Sequence, residues 1–239
     1  MDDLDPFTAR RKQATAARPL LGLTVLVVED SRFTCDAIRL LCLRSGARIR
    51  RADCLAAARR HLKTYRPSVI IVDLGLPDGS GLDLISQLHR AVPRIGVIIG
   101  MSGDDLSENA VLAAGANEFL PKPITSLSTF QNLILSHLPY DRQPPGLRLV
   151  CNRHVHPDPL AYQDDMAQMA ELLCDRSESQ MIDYVAQFVR GVAQSAEDTV
   201  LAQAAADLAS ARAKGAPYIS AAARVAALIQ QRLQKKRAI

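Results

Sequence analysis

Short, continuous apolar runs alternate with helix-like segments through the first 140 residues, and this alternation constrains the fold more than any other feature. Three runs are rich in β-branched residues: LTVLVV from residue 23, VIIVD at 69–73 and GVIIGM from residue 96. Shorter strands are predicted at Arg48–Arg51 and at EFLP, 118–121. Strands that are apolar along their whole length are typical of a parallel sheet covered by helices on both faces. The pattern therefore predicts an α/β domain of five β–α repeats.

The composition changes beyond Pro159, where alanine becomes frequent and no strand-like run occurs. Helical periodicity predicts four helices and hence a small all-α domain, a helical bundle, with segments near 160–174, 178–194, 197–213 and 218–236. The chain is therefore expected to divide into a mobile N-terminal tail at 1–21, an α/β domain at 22–139, a linker at 140–158 and an all-helical domain at 159–239.

Composition narrows the class of protein. Of 239 residues, 48% are hydrophobic and 23% charged, which is enough for a buried core. The net charge of +4 is too small to indicate nucleic-acid binding by itself. Five cysteines without a CxxC motif suggest reduced thiols, and there is no apolar run long enough for a membrane span. We expect a cytoplasmic protein.

Polar residues follow four of the predicted strands. Glu29 and Asp30 follow the first apolar run, Asp73 ends VIIVD, Ser102 follows GVIIGM and Lys122 follows EFLP. A parallel sheet brings the carboxyl ends of its strands to one edge, where ligands bind. Three carboxylates placed together repel one another unless a cation shares the site, and oxygen ligands favour Mg²⁺. A carboxylate beside Mg²⁺, a lysine and a hydroxyl is equipped to attack a phosphoryl group.

Four motifs, in order, resemble the receiver domain of bacterial two-component response regulators: VLVVEDS, IIVDLGLPDGSGLDL, MSG and FLPKP. The resemblance covers about residues 23–139. It implies a flavodoxin-like five-stranded parallel sheet. It also implies a phosphoacceptor rather than an enzyme, taking phosphate from a histidine kinase or a histidine phosphotransfer protein.

The resemblance also implies roles for single residues around a Mg²⁺ ion. Asp73 is then the phosphoacceptor, and Asp30 and Asp73 ligate Mg²⁺ directly. Glu29 ligates it directly or through water, and the backbone carbonyl of Gly75 is a further ligand. These roles rest on the match of motifs to this sequence.

Further roles follow from the same resemblance. Ser102 hydrogen-bonds the phosphoryl group, Lys122 pairs with it, and Phe119 takes the position of an aromatic switch that works with Ser102. Pro123 sets a cis peptide, while Pro77 and Gly81 shape the loop beside the nucleophile. The stretch between Ser102 and Lys122 is about two residues shorter than usual, which shortens the fourth helix, expected at Leu106–Ala114, or the loop before it.

Two other functions of such a sheet are disfavoured by the sequence. Aspartate-nucleophile phosphatases use Asp-x-Asp, but here Asp73 is followed by Leu74 and Gly75. A dinucleotide site is disfavoured because no GxGxxG motif follows the first strand.

The output of the helical domain has two interpretations. No histidine occurs in residues 157–239, so this segment cannot pass phosphate through histidine. We expect docking to a helical protein partner or homodimerisation, through faces along Val200, Leu201, Ala204 and Leu208 and along Val225, Leu228 and Ile229. DNA binding is the alternative, although the basic residues gather only at the end of the last helix, at Arg232, Lys235, Lys236 and Arg237.

Overall fold

A five-stranded parallel sheet forms the first unit of the chain, as a computed structural model shows; the structure describes residues 13–146, 153–174 and 179–234. The strands are β1 Thr24–Val28, β2 Arg48–Ala52, β3 Val69–Asp73, β4 Gly75–Leu76, β5 Gly79–Ser80, β6 Val97–Ser102 and β7 Glu118–Pro121. The sheet has the order β2-β1-β3-β6-β7, and a two-stranded hairpin, β4-β5, lies beside it.

The central strands explain why the sheet is covered on both faces. Every residue of β3 and β6 is buried, as are four of the five residues of β1. Such strands gain stability from apolar burial on each side, which the helices provide. The covering helices are α1 Arg32–Ser45, α2 Leu55–Thr64, α3 Gly81–Arg90, α4 Glu108–Ala113 and α5 Leu127–Ser136. The predicted α/β fold is confirmed.

Local signals set the ends of these helices. Ser31 caps α1 by accepting a hydrogen bond from Thr34 N, and Gly46 ends it with a left-handed φ of 83°. The fourth helix, α4, has six residues. The helix predicted to begin at Leu106 starts instead as a 3-10 turn, Asp105–Ser107.

Four helices form the second unit: α6 Pro159–Cys174, α7 Ser179–Ser195, α8 Thr199–Ala213 and α9 Ile219–Gln234. Their apolar side chains form one core. The faces expected to drive self-association are for the most part inside this core, so that expectation is wrong: Leu201, Ala204, Leu208, Val225 and Ile229 are buried and Leu228 is partly buried against them. Val200 alone of the seven residues is largely exposed, at 52%.

The segments that flank the sheet also pack on it. Leu20 is fully buried and its amide donates to Ser45 O, so the prediction of a mobile segment extending to residue 21 is wrong at residue 20. The first 12 residues of that tail lie outside the described residues, as do the three basic residues after Arg232. Val155, in the expected linker, is buried in the core of the sheet unit. Across the described parts of the chain, no helix has the length and apolar character to cross a membrane.

The two units share a packed interface. Phe33, at the start of α1, is part of the apolar core of the four helices, and its ring meets Tyr162 edge-on at 5.7 Å. Helix α6 lies against α1. This contact brings α7 over the carboxyl ends of the strands.

Candidate functional site

The carboxyl ends of four strands bring together the polar residues that the sequence singles out. Lys122 Nζ lies 2.7 Å from Glu29 Oε2 and 2.8 Å from Asp73 Oδ1. These three side chains are between 1% and 9% exposed. One lysine therefore bridges carboxylates that follow β1 and end β3, as the parallel topology requires.

The electrostatics of the cluster reflect burial and crowding. Burial raises the pKa of Glu29 well above its usual range, against the opposing effect of Lys122. Burial likewise raises the pKa of Asp30 to about 6, and the hydrogen bond from Tyr184 opposes this shift. Burial disfavours the charge on Lys122, but Asp73 and Glu29 outweigh it and raise the lysine pKa.

The cluster fits a divalent cation. Among the described residues, Glu29, Asp30 and Asp73 form the only cluster of three or more His, Cys, Asp or Glu side chains that could hold a metal ion, with carboxylate oxygens within 4.8 Å of one another. Three carboxylates against the single charge of Lys122 leave an excess of about two negative charges when all are ionised. A hard divalent ion with oxygen ligands matches this excess, and Mg²⁺ keeps several waters in such open sites.

The remaining predicted residues lie around the same cluster. Gly75 N donates to Asp73 Oδ2 at 3.0 Å, and Lys122 N donates to Ser102 O at 2.9 Å. Ser102 is buried, and its hydroxyl accepts a hydrogen bond from Asp104 N at 3.1 Å. The Lys122–Pro123 peptide is cis, as expected from the resemblance.

Gly81 and Phe119 are two further positions to which the resemblance gives a role. Gly81 lies so close to the Asp73 carbonyl that a Cβ there would clash with it. Phe119 is 7% exposed, within β7, and its predicted role as a switch stays a prediction.

Helix α7 covers this site, a feature the sequence analysis missed. Tyr184 Oη donates to Asp30 Oδ2 at 2.5 Å. A Cβ at Gly75 would clash with the carboxamide of Gln187, and one at Gly103 with that of Gln194. Gly191 lies over Lys122, since a Cβ there would be 4.0 Å from Nζ. These four residues of α7 recur at helical spacing and form the site-facing stripe of α7: Tyr184, Gln187, Gly191 and Gln194.

Asp165 of α6 fastens the second unit beside the site. Its carboxylate accepts hydrogen bonds from Ser31 Oγ at 2.8 Å, Arg32 N at 2.9 Å and Phe33 N at 3.1 Å. The first amides of α1 are thus capped from another unit. Ser31 N in turn donates to Glu29 Oε1 at 3.0 Å, so the contact reaches the site.

A cavity of about 450 Å³ remains between the strand ends and the helices. Asp73, Ser102 and Lys122 lie on one wall, and Arg190 and Gln194 of α7 lie on the other. We name it the interdomain cavity.

Sequence reasoning could find the site residues on the sheet but not those on α7. Each sheet residue follows an apolar strand within a recognisable motif. Tyr184 reads as one more residue of a buried helical stripe, and a glutamine in a helix carries no signal of its partner. The one available hint is the spacing of the site-facing stripe of α7, which places polar and small residues along one face of the helix.

Comparisons with known proteins agree with the resemblance. Residues 25–133 match the response regulator receiver domain family. The chain is 30% identical over 163 residues to the KDP operon transcriptional regulatory protein KdpE of Escherichia coli, covering 66% of this chain and 65% of that protein. It is 32% identical over 108 residues to the probable transcriptional regulatory protein TcrX of Mycobacterium tuberculosis, covering 43% and 44%. The chain thus spans less than two thirds of the length of these curated relatives.

Solved structures similar to this chain include a putative response regulator from Chloroflexus aurantiacus, with 24% identity and a TM-score of 0.46, covering 48% of this chain and 96% of that one. Another is the chemotaxis response regulator CheY4 of Vibrio cholerae, with 20% identity and a TM-score of 0.43, covering 48% and 98%.

Proposed function

Residues 25–133 of this chain form a response regulator receiver domain, and on that premise we propose that the protein is a regulator switched by Mg²⁺-dependent phosphorylation of Asp73. The observation that carries the proposal is the Glu29–Lys122–Asp73 bridge, in which one buried lysine holds two carboxylates at 2.7 and 2.8 Å. Asp30 completes the cluster.

The chemistry would be a phosphoryl transfer to a carboxylate. An Asp73 oxygen attacks phosphorus, the bond from phosphorus to the donor breaks with its electrons leaving on the donor atom, and an acyl phosphate forms. Glu29, Asp30, Asp73 and the Gly75 carbonyl would hold Mg²⁺, which supplies positive charge against the phosphoryl oxygens when bound. Lys122 would shift its ion pair towards the phosphoryl group, and the Ser102 hydroxyl would donate to it.

The donor would be a phosphohistidine on a kinase or a phosphotransfer protein. The second unit would then transmit the signal by contact with a helical protein partner or a second copy. Because most of the apolar faces first expected to pair are used inside the bundle, such contact would use other surfaces, among them the exposed Val200 and Ile219.

Phosphorylation-controlled DNA binding is the second candidate, favoured by relatives whose names describe transcriptional regulators. Against it, three arginines of the helical unit are engaged in ion pairs rather than free for contacts with DNA phosphates. Arg232 Nε lies 2.8 Å from Asp198, Arg212 Nε 2.7 Å from Asp183 and Arg224 Nη1 3.2 Å from Asp207. We therefore favour the output by protein contact.

Labelling with radioactive acetyl phosphate tests the phosphoacceptor. We expect label on the wild type with Mg²⁺ and none after chelation, and none on Asp73→Asn. The matched control is Asp83→Asn, an exposed carboxylate on α3, which should label like the wild type. Stoichiometric label on Asp73→Asn would refute the assignment.

A gel shift of the labelled protein on genomic fragments at stated salt, together with light scattering, separates the two candidate outputs, DNA binding and protein contact.

A further inference from the structure

The interdomain cavity joins the predicted phosphoryl site to the helical unit. Asp73, Ser102 and Lys122 face it from the strand ends, and residues of α7 and α8 form the opposite wall. A phosphoryl group on Asp73 would extend into this space of about 450 Å³. The group would therefore meet side chains of both units.

Three cations line the interdomain cavity, and two of them are paired with carboxylates. Lys122 is paired with Glu29 and Asp73, and Arg212 holds Asp183 through two nitrogens at 2.7 and 2.8 Å. Arg190 also lines the cavity. In the part of the chain that the structure describes, no hydrogen bond or ion pair engages its guanidinium.

One polar atom on the same helix is also without a partner among the described residues. Gln194 Oε1 is buried and makes no hydrogen bond to any described residue. It lies against Gly103, directly after Ser102. A buried unpaired amide costs free energy, and a primary carboxamide can present either its oxygen or its NH₂ group to one position.

From these observations we propose that Arg190 and Gln194 are ligands of the phosphoryl group on Asp73, so that the helical unit completes the phosphoryl-binding site. The inference rests on the proposed function and adds residues that no receiver motif contains. Arginine binds phosphoryl oxygens through paired N–H donors, and the Gln194 NH₂ would donate to a third oxygen. Gly191 lies between them in sequence, and a Cβ there would be 4.0 Å from Lys122 Nζ, so this part of α7 faces the lysine.

The proposal has a consequence for the switch. The proposal implies that a protein donor reaches Asp73 only when α7 lifts away, because α7 forms the opposite wall of the cavity and the side chains of Asp73 and Lys122 are almost fully covered. Once the group is transferred, its contacts with Arg190 and Gln194 exist only in the closed arrangement. A ligand that binds one state better shifts the population towards it. Phosphorylation would therefore hold the two units together rather than release them.

Beryllium fluoride, a phosphoryl mimic that binds carboxylates, provides the probe in the presence of Mg²⁺. Its affinity for the full chain is measured by calorimetry for the wild type, Arg190→Ala, Arg190→Lys and Gln194→Ala. Loss of a charge-assisted hydrogen bond predicts about a tenfold or greater loss of affinity for Arg190→Ala. Arg190→Lys should lose less, and Gln194→Ala should fall between Arg190→Ala and the wild type.

The matched control is Arg224→Ala, which removes an exposed arginine of α9 paired with Asp207 and should bind like the wild type. Hydrogen exchange adds a conformational readout: beryllium fluoride should slow exchange in residues 184–194 of the wild type but not of Arg190→Ala. Equal affinity of Arg190→Ala and wild type, or faster exchange in α7 of the wild type, overturns the inference. If the wild type binds no beryllium fluoride and takes no label from acetyl phosphate, the proposed function itself fails and the inference falls with it.

Discussion

Tyr184 Oη lies 2.5 Å from Asp30 Oδ2, so α7 is hydrogen-bonded directly to a predicted metal ligand. Tyr184 belongs to the second unit and Asp30 follows β1 of the sheet. The carboxylate has a second oxygen, which leaves it able to ligate Mg²⁺ while Tyr184 stays bound. The contact therefore links the position of α7 to the state of the site without competing with the metal for the same atom.

Tyr184→Phe should increase the rate at which acetyl phosphate labels Asp73. Removing the phenolic hydroxyl takes away one hydrogen bond to a charged group, worth about 1.5–3 kcal/mol, so the open arrangement becomes about tenfold or more populated. The initial rate of labelling at fixed Mg²⁺ measures this.

Tyr162→Phe is the matched control for that experiment, because Tyr162 donates to Asp198 within the helical unit. It should label at the wild-type rate. A Tyr184→Phe rate no higher than the Tyr162→Phe rate would show that α7 does not limit access to Asp73.

Lys122→Ala should lower the stability of the metal-free protein by about 3–5 kcal/mol, because it leaves Glu29 and Asp73 buried without their shared cation. Mg²⁺ should bind Lys122→Ala and recover part of this loss, whereas the response to phosphorylation should weaken. Thermal unfolding with and without Mg²⁺ is the measurement, and Lys63→Ala on the exposed face of α2 is the control. An unfolding midpoint unchanged by Lys122→Ala without Mg²⁺ would contradict the bridge.

The sequence predicts the sheet and the carboxylate cluster at its strand ends, but not that α7 covers them. Asp73 and Lys122 can be found because each follows an apolar run, and parallel topology alone brings strand ends together. The contact of Asp165 with the first amides of α1 joins residues more than 130 positions apart, and it depends on how two separately folded units pack. The buried Leu201 and Ile229 were assigned to an outer face because periodicity shows that a helix has an apolar side but not which neighbour covers it.

Mg²⁺ affinity should fall as the pH drops below about 6. Burial raises the pKa of Asp30 from 3.8 to about 6, and the pKa of Glu29 moves in the same direction. A protonated carboxyl group must lose its proton before it can bind the metal, so Mg²⁺ binding weakens as the pH falls below the pKa of Asp30. The other groups facing Asp30 are Asp73, Lys122 and Tyr184. Calorimetric titration with Mg²⁺ between about pH 5 and 8 measures the effect.

The raised pKa of Asp30 has the opposite effect on the stability of the metal-free protein, to which Asp30 contributes more as the pH falls. The folded pKa of Asp30 lies above the unfolded value, so the folded state binds more protons between about pH 4 and 6. The stabilising contribution of protonated Asp30 is full below about 4 and is lost as the pH rises through 6. Asp30→Asn should flatten this part of the stability profile. A Mg²⁺ affinity independent of pH across this window would contradict the assignment of Asp30 as a ligand.

Asp165→Ala should loosen the second unit from the sheet. The substitution removes the acceptor of three donors, Ser31 Oγ and the amides of Arg32 and Phe33. Buried donors that lose their carboxylate acceptor lower the free energy of unfolding by about 1.5–3 kcal/mol. Asp165→Asn keeps one acceptor oxygen and should lose less.

Asp164→Ala is the matched control, since its ion pair with Arg32 at 2.8 Å is about half exposed and such pairs contribute little. Urea unfolding and the initial labelling rate of Asp73 are the two measurements. Asp165→Ala should lower the urea concentration at the midpoint of unfolding and raise the initial rate at which Asp73 is labelled. Equal behaviour of the two alanine variants would mean that Asp165 does not hold the units together.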